Sequence, residues 1–162
     1  MTGRLNKKTI IVTGAGSGLG RASAVKLAEE DAQVFCVDVN PETVKETSDI
    51  ITSLGGAASH YQADMCSETD IIAMVTEAEK TFNGIDGLFA NAGIAGTGAA
   101  HETSLEDWDR LIKVSLTGKW LCAKHVIPHF IAKKSGNIVF QSSICALNGF
   151  PKLVAYTAAK GA

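Results

Sequence analysis

No stretch of this sequence stays apolar for the ~20 residues that a membrane-spanning helix needs. There is also no basic excess of the kind that marks a nucleic-acid-binding face. Lys plus Arg number 15 against 17 Asp plus Glu, a formal net charge of −2. The densest basic spots, Lys7-Lys8 and Lys133-Lys134, are doublets expected at loop or helix ends on solvated surface. Neither a membrane nor a nucleic acid is therefore expected as a partner. Cys36, Cys66, Cys122 and Cys145 are scattered, with no C-x-x-C pair and no histidine at ligand spacing. That usage points to reduced thiols in a cytoplasmic protein rather than to disulfides or a zinc site. His60, His101, His125 and His129 are unclustered. His125 and His129 fall four apart on an expected helix, but no third ligand accompanies them, and no metal is expected. No leader-like segment precedes the first strand-like residues at Thr9. Internal repeats, low-complexity tracts and linkers are missing too, and 162 residues suit a single domain.

What the sequence does contain is a regular alternation. Thr9-Ile10-Ile11-Val12-Thr13 is a nearly continuous apolar run, as expected for a parallel strand covered on both faces. A glycine-rich turn follows, then a helix expected to bury Leu19, Ala22, Val25 and Ala28. Val34 to Val37 reads as the second strand. Asn40-Pro41-Glu42 opens a helix, with Asn as cap and Pro at the first helical position. That helix carries Val44, Ile51 and Leu54 and stops at Gly55-Gly56. A weaker strand is expected from Ser59 to Ala63. Ser67-Glu68-Thr69-Asp70 resembles a capping box with Asp in the last place, and opens a helix bearing Ile71, Ile72, Val75, Ala78 and Phe82. Gly87 to Ala90 is the fourth strand. Ser104-Leu105-Glu106-Asp107 repeats the start signal for a long helix running from Trp108 towards Pro128. Asn137 to Gln141 is the fifth strand, and a last helix begins after Pro151. Five β-α units in succession imply an α/β fold: an open, doubly wound parallel sheet of Rossmann type with helices on both faces.

Two constellations carry chemistry. Thr13-Gly14-Ala15-Gly16-Ser17-Gly18-Leu19-Gly20 lies between the first strand and the first helix. Glycines there let the backbone turn sharply and admit a pyrophosphate to the helix N-terminus, where free N–H groups and the helix dipole favour an anion. The second strand ends in Asp38, which can accept hydrogen bonds from both adenosine ribose hydroxyls. A carboxylate there repels a 2′-phosphate, and no Arg or Lys stands at Ala15, Ser17 or Val39 to compensate, so NAD is expected over NADP. A phosphotransferase P-loop does not fit, because G-K-[ST] does not follow the glycines. Near the other end, Tyr156 and Lys160 are four apart, so on a helix they project from one face. A free phenol ionises near pH ~10, and a neighbouring ammonium favours its phenolate.

Taken together and in order, T-G-x-x-x-G-x-G at Thr13 to Gly20, N-A-G at Asn91-Ala92-Gly93, Ser143, and Y-x-x-x-K at Tyr156 and Lys160 make this chain resemble the short-chain dehydrogenase/reductase family. The likeness spans essentially the whole sequence. It implies an NAD-dependent oxidoreductase that moves a hydride between nicotinamide and a secondary alcohol or ketone. Tyr156 would be the acid/base, Lys160 its activator and the ligand of the nicotinamide ribose, and Ser143 the holder of the substrate oxygen. The family's serine precedes the tyrosine by thirteen residues, which selects Ser143 and leaves Ser142 as strand-end support. The cofactor is expected against Gly14, Ser17, Gly18, Leu19 and Gly20 of the turn, and against Asp38 and Val39. Asp64 and Met65 would meet the adenine. Asn91, Ala92 and Gly93 would lie under the cofactor, with Asn91 tying neighbouring strands. Gly96 and Gly98 extend a flexible loop, and Ile144, Leu147 and Phe150 suggest an apolar pocket wall. A homo-oligomer, dimer or tetramer, is implied as well. A methyltransferase would share the glycine turn and the acid after the second strand, but it gives no role to Ser143, Tyr156 and Lys160.

The sequence departs from the family pattern twice. Val114-Ser115-Leu116-Thr117-Gly118 places Ser115 where the family usually has the asparagine that helps hold a water beside the lysine; Ser115 remains a candidate catalytic residue. Family members also continue well beyond the Y-x-x-x-K motif. Residues 1–162 are thus expected to form a single dinucleotide-binding domain without the usual C-terminal strands and substrate lid, and with the fifth strand as an exposed sheet edge. The sequence is then either part of a longer protein or a short form, and the alternative to an enzyme is a non-catalytic NAD-binding or interaction module.

Overall fold

In a computed structural model, which describes residues 3–162, five strands form one parallel sheet in the order β3-β2-β1-β4-β5. The strands are β1 (Thr9–Thr13), β2 (Gln33–Asp38), β3 (Ala57–Gln62), β4 (Gly87–Ala90) and β5 (Asn137–Phe140). The helices are α1 (Gly18–Glu29), α2 (Pro41–Ser53), α3 (Glu68–Phe82), α4 (Leu105–Ile112), α5 (Gly118–Lys133) and α6 (Val154–Gly161). Chain order reverses at β1, which pairs with β2 on one side and β4 on the other, so that the strand ends open a crevice there.

The sheet's period of two sorts its side chains into two cores. Ile11, Phe35, Val37 and Leu88 face α3 and α5 and meet Ile71, Met74, Val75, Leu121, Cys122 and Val126. Val12, Val34 and Cys36 face α1 and α2 and meet Ala24, Val44 and Ile51. Each such fully buried aliphatic contributes on the order of 1.5–3 kcal/mol. The start signals work as expected: Asn40 Oδ1 accepts from the N–H groups of Glu42 and Thr43, and the Ser67 and Ser104 hydroxyls accept from Asp70 and Asp107. Asp86, just ahead of β4, accepts from the Thr9 N–H and pairs with one lysine of each basic doublet, Lys8 at 3.0 Å and Lys133 at 2.6 Å.

Three expectations need correction. The buried row of α1 is Gly20 and Ala24; of the expected face, Val25 and Ala28 do pack beside it, with Leu27, while Leu19 and Ala22 are exposed. The reason is steric: α1 starts so close to β1 that only a glycine fits against the sheet, and this turns the helix by about one residue. A Cβ on Gly20 would lie 1.8 Å from the Gly14 carbonyl oxygen. Leu54 caps α2 on the surface rather than packing within it, and Ile72 of α3 is half exposed. The long helix starts at Leu105, widens into a π-helical turn at Lys113–Thr117, and passes through Pro128 to Lys133. There Lys134 takes a left-handed conformation (φ 54°) and ends it. The helix continues beyond Pro128 because packing at Val126 and Phe130 holds both flanks against the sheet.

Candidate active site

The carboxyl end of β1 runs into the glycine turn. Gly14 has φ +67°, and a Cβ there would sit 2.9 Å from the Ala92 Cα. Only glycine therefore lets this turn lie against the N-A-G segment after β4. That segment is tied to β1 from its own side: Asn91 Nδ2 donates to the Thr13 carbonyl at 3.1 Å, and the Ala92 N–H donates to Thr13 Oγ1 at 3.1 Å. Asp38 leans over the turn, accepting from the Gly16 N–H at 2.9 Å and from the Asn40 N–H at 3.1 Å. Ser17 caps α1 with extended backbone but makes no side-chain cap bond, so the first-turn N–H groups stay open to a ligand.

From this turn a groove of about 580 Å³ runs to the end of β5. It is lined by Gly14, Ser17, Gly18, Leu19, Asp38, Asn91, Ala92 and Gly93 on one side and by Ser143, Tyr156 and Lys160 on the other. A second cavity of about 310 Å³ adjoins it at Gly14, Asp38, Ala92 and Gly93 and extends past Val39, Asp64 and Met65. Asp64 Oδ1 accepts from the Cys66 N–H at 2.8 Å, and the Asp64 N–H donates to Asp70 Oδ2 at 3.0 Å. That N–H and the Ser67 hydroxyl hold the Asp70 carboxyl below the usual range.

The other end of the groove is built by side chains reaching across elements. The Ser142 hydroxyl donates to the Lys160 carbonyl at 2.8 Å, fastening α6 to the end of β5. Ser143 Oγ accepts from the Cys145 N–H at 3.2 Å, which leaves its own proton free to donate into the groove. Lys160 Nζ lies 5.6 Å from the Tyr156 ring centroid and donates to the Gln141 carbonyl at 3.0 Å.

Thirteen of the expected cofactor residues thus line the two cavities. Gly20 is not among the residues that line them; its Cα packs against the Gly14 carbonyl. Ser115 lines neither as well: it is buried under the groove floor, its Oγ accepting from the Ile94 N–H at 3.1 Å and donating to the Ile94 carbonyl at 3.4 Å. Ile144, Leu147 and Phe150 stand exposed and line neither cavity, so the expected apolar wall is not formed by them. Residue types alone did not single out Ile94, Ala95, Gln141, Arg110 and Val114, which also line these cavities. Gly98 meets Leu153 in an isolated parallel bridge, so the loop after β4 is pinned to the start of α6. His125 and His129 cross-link α5 to α3, each ring nitrogen 2.9 Å from Glu68 or Glu79. All four cysteines are free, and burial pushes the Cys36 and Cys122 thiols up to about 12. Among the described residues no helix is long and apolar enough to cross a membrane.

A parallel doubly wound sheet with a glycine turn at its switch point defines a dinucleotide-binding fold. The chain belongs to the short chain dehydrogenase family, whose sequence model matches residues 8–162. It is 36% identical over 162 residues to 2-(S)-hydroxypropyl-CoM dehydrogenase 3 of Xanthobacter autotrophicus, covering 100% of this chain and 64% of that one. It is 35% identical over 161 residues to the cyclohexanol dehydrogenase of an Acinetobacter species, covering 99% and 64%. Among solved structures, NAD+-bound xylitol dehydrogenase superposes with a TM-score of 0.95 at 32% identity, over 98% of this chain and 61% of that one. Levodione reductase superposes with a TM-score of 0.94 at 32% identity, over 98% and 62%. The chain therefore spans a little under two thirds of the length of these relatives.

Proposed function

We propose that this chain carries the cofactor site and the acid/base of an NAD-dependent oxidoreductase that interconverts a secondary alcohol and a ketone. The observation that carries the reading is the convergence of Ser143, Tyr156 and Lys160 on the same 580 Å³ groove as the glycine turn and Asp38. The donor set suits a dinucleotide: open N–H groups at the start of α1 for the pyrophosphate and a carboxylate over the turn for ribose hydroxyls. Asp38 favours a free 2′-hydroxyl over a 2′-phosphate, which supports NAD, the cofactor named for xylitol dehydrogenase. Bound nicotinamide supplies the hydride acceptor or donor.

In this reading the Tyr156 hydroxyl exchanges a proton with the substrate oxygen. The Ser143 hydroxyl, its lone pair already engaged by Cys145, donates to that same oxygen and holds it. The Lys160 ammonium stabilises the tyrosyl oxygen when it is deprotonated, and Asn91 keeps the groove floor in register by bonding to β1. Residues 1–162 act as one dinucleotide-binding domain in a cytoplasmic protein with reduced thiols, and the protein assembles as a homo-oligomer. The exposed row Trp120, Ile127 and Ile131 on α5 supports assembly. Cyclohexanol, from the name of the Acinetobacter relative, is a secondary alcohol and a first substrate to try. Reduced nicotinamide should accumulate with NAD and such an alcohol. Tyr156→Phe should lower that rate by about 10²–10⁴ while the NAD Kd stays within a few-fold. Turnover of Tyr156→Phe at the parent rate would refute the acid/base role.

A further inference from the structure

Behind the groove lies an ionisable group that the reaction above leaves unused. Lys119, on the first turn of α5, is only 7% exposed, and its Nζ donates to the Gln141 carbonyl at 2.5 Å. Lys160, also buried, donates to the same oxygen at 3.0 Å. Two buried amines from different helices therefore share one acceptor. A cavity of about 220 Å³ adjoins them, bordered by Ser115, Trp120, Gln141, Ser142 and Ala162, and among the described residues these two lysines are its ionisable side chains. No side-chain carboxylate faces the pair from α5, α6, β5 or the π-helical turn. Ser115 makes no hydrogen bond to either amine; its hydroxyl bonds to both backbone groups of Ile94.

Two ammonium groups in so small a space, without a counter-charge, repel each other and lose hydration. Lys160 has a compensation that Lys119 lacks, the face of the Tyr156 ring. Burial first, and then the charge and hydrogen bond of Lys160, push the Lys119 amine down to about 7. A neutral amine keeps a lone pair and can accept a hydrogen bond.

We propose that Lys119 is a positioning residue for Lys160: the two amines hold one positive charge between them, with Lys119 accepting a hydrogen bond from the Lys160 ammonium and keeping that charge against Tyr156. The proposal rests on the acid/base reading of Tyr156. On the reverse side of Lys160 lies Gly93, where a Cβ would be in ordinary van der Waals contact with Nζ at 3.5 Å. Lys160 thus lies between the N-A-G segment and Lys119.

Two readouts on the full chain test this. The first is NMR titration of the lysine side chains in the parent, Lys119→Met and Lys160→Met proteins. One amine should titrate near neutral pH in the parent and be absent in Lys119→Met. In Lys160→Met it should move up by about one pH unit, because the neighbouring charge is gone. The second is the pH profile of alcohol oxidation. A permanent second charge in Lys119→Arg should carry the acid limb to lower pH, and loss in Lys119→Met of the amine that accepts from Lys160 and keeps its charge against Tyr156 should carry that limb to higher pH, by about half a unit each. A parent in which every lysine titrates above neutrality, a Lys119 titration indifferent to Lys160→Met, or acid limbs that coincide in all three proteins would each overturn the proposal. A parent with no alcohol turnover would instead refute the oxidoreductase reading, and the amine titrations would still decide the pairing. Should Lys119→Met fail to fold, Lys119→Arg and Lys160→Met carry the same comparison.

Discussion

β1 and β5 are both short apolar strands of one parallel sheet, yet they live in opposite surroundings. β1, between β2 and β4, is buried at four of its five residues, with Val12 at 0% exposure. β5 pairs only with β4, none of its four residues is buried, and Val139 is 58% exposed. Composition identifies both as strands, but position in the sheet order decides what each contributes. The same contrast governs the site. At the end of β1 the groove is shaped by backbone: a left-handed glycine, a helix start without a cap, a carboxylate held by N–H groups. At the end of β5 it is assembled by single side chains reaching between elements: Ser142 to α6, Lys119 and Lys160 to Gln141.

The backbone-built end should therefore be the less tolerant. Gly20→Ala places a methyl group into the Gly14 carbonyl, and the rigid turn cannot yield. A stability loss of about 3 kcal/mol is expected in urea unfolding, together with loss of NAD binding. A near-neutral result would mean that the turn is pliable and the contrast false. Val12→Ala should cost about 2 kcal/mol and Val139→Ala less than about 0.5 kcal/mol in the same assay, and equal costs would show that β5 is covered in solution.

Asp86 tests a side-chain tie at the opposite, amino-terminal end of the strands. Burial acts to raise its pKa, but the Lys133 ammonium, the Thr9 N–H and the Lys8 ammonium outweigh it and hold the carboxyl below its ordinary value of 3.8. A depressed folded pKa stabilises the protein above the unfolded value and loses that contribution as pH falls through the folded one. Asp86→Asn should thus cost about 1–2 kcal/mol near pH 7, and the difference should shrink below about pH 4. A difference independent of pH would remove the ion pairs from the account. At the glycine turn, Asp38→Ala should narrow the preference for NAD over NADP by about tenfold in Kd ratio, and an unchanged ratio would leave the carboxylate without a role in cofactor choice.

Legibility followed the same division. The glycine turn, Asp38 and the N-A-G segment could be read from residue types because their geometry is local. A glycine at φ +67° or a carboxylate ending a strand needs little knowledge of the rest of the fold. The capped starts of α2, α3 and α4 were readable for the same reason. The buried face of α1 was not, since apolar spacing pointed to Leu19 and Ala22, while contact with the Gly14 carbonyl turned Gly20 and Ala24 inward. Lys119 gave no sign either: a lysine near a helix start reads as solvated surface, and nothing in its neighbourhood names a residue forty-one positions further on.

By itself, then, the order of residues determined that this chain is an alternating α/β protein with a glycine turn and a tyrosine–lysine pair, because strand periodicity, helix caps and glycine turns are set by interactions a few residues long. Only the tertiary structure decided that Leu19 and Ala22 of α1 face outward, that Gly20 packs against the Gly14 carbonyl, and that two lysines share one carbonyl. Those outcomes depend on distances between segments far apart in sequence, where burial and the local dielectric are set by everything that surrounds them.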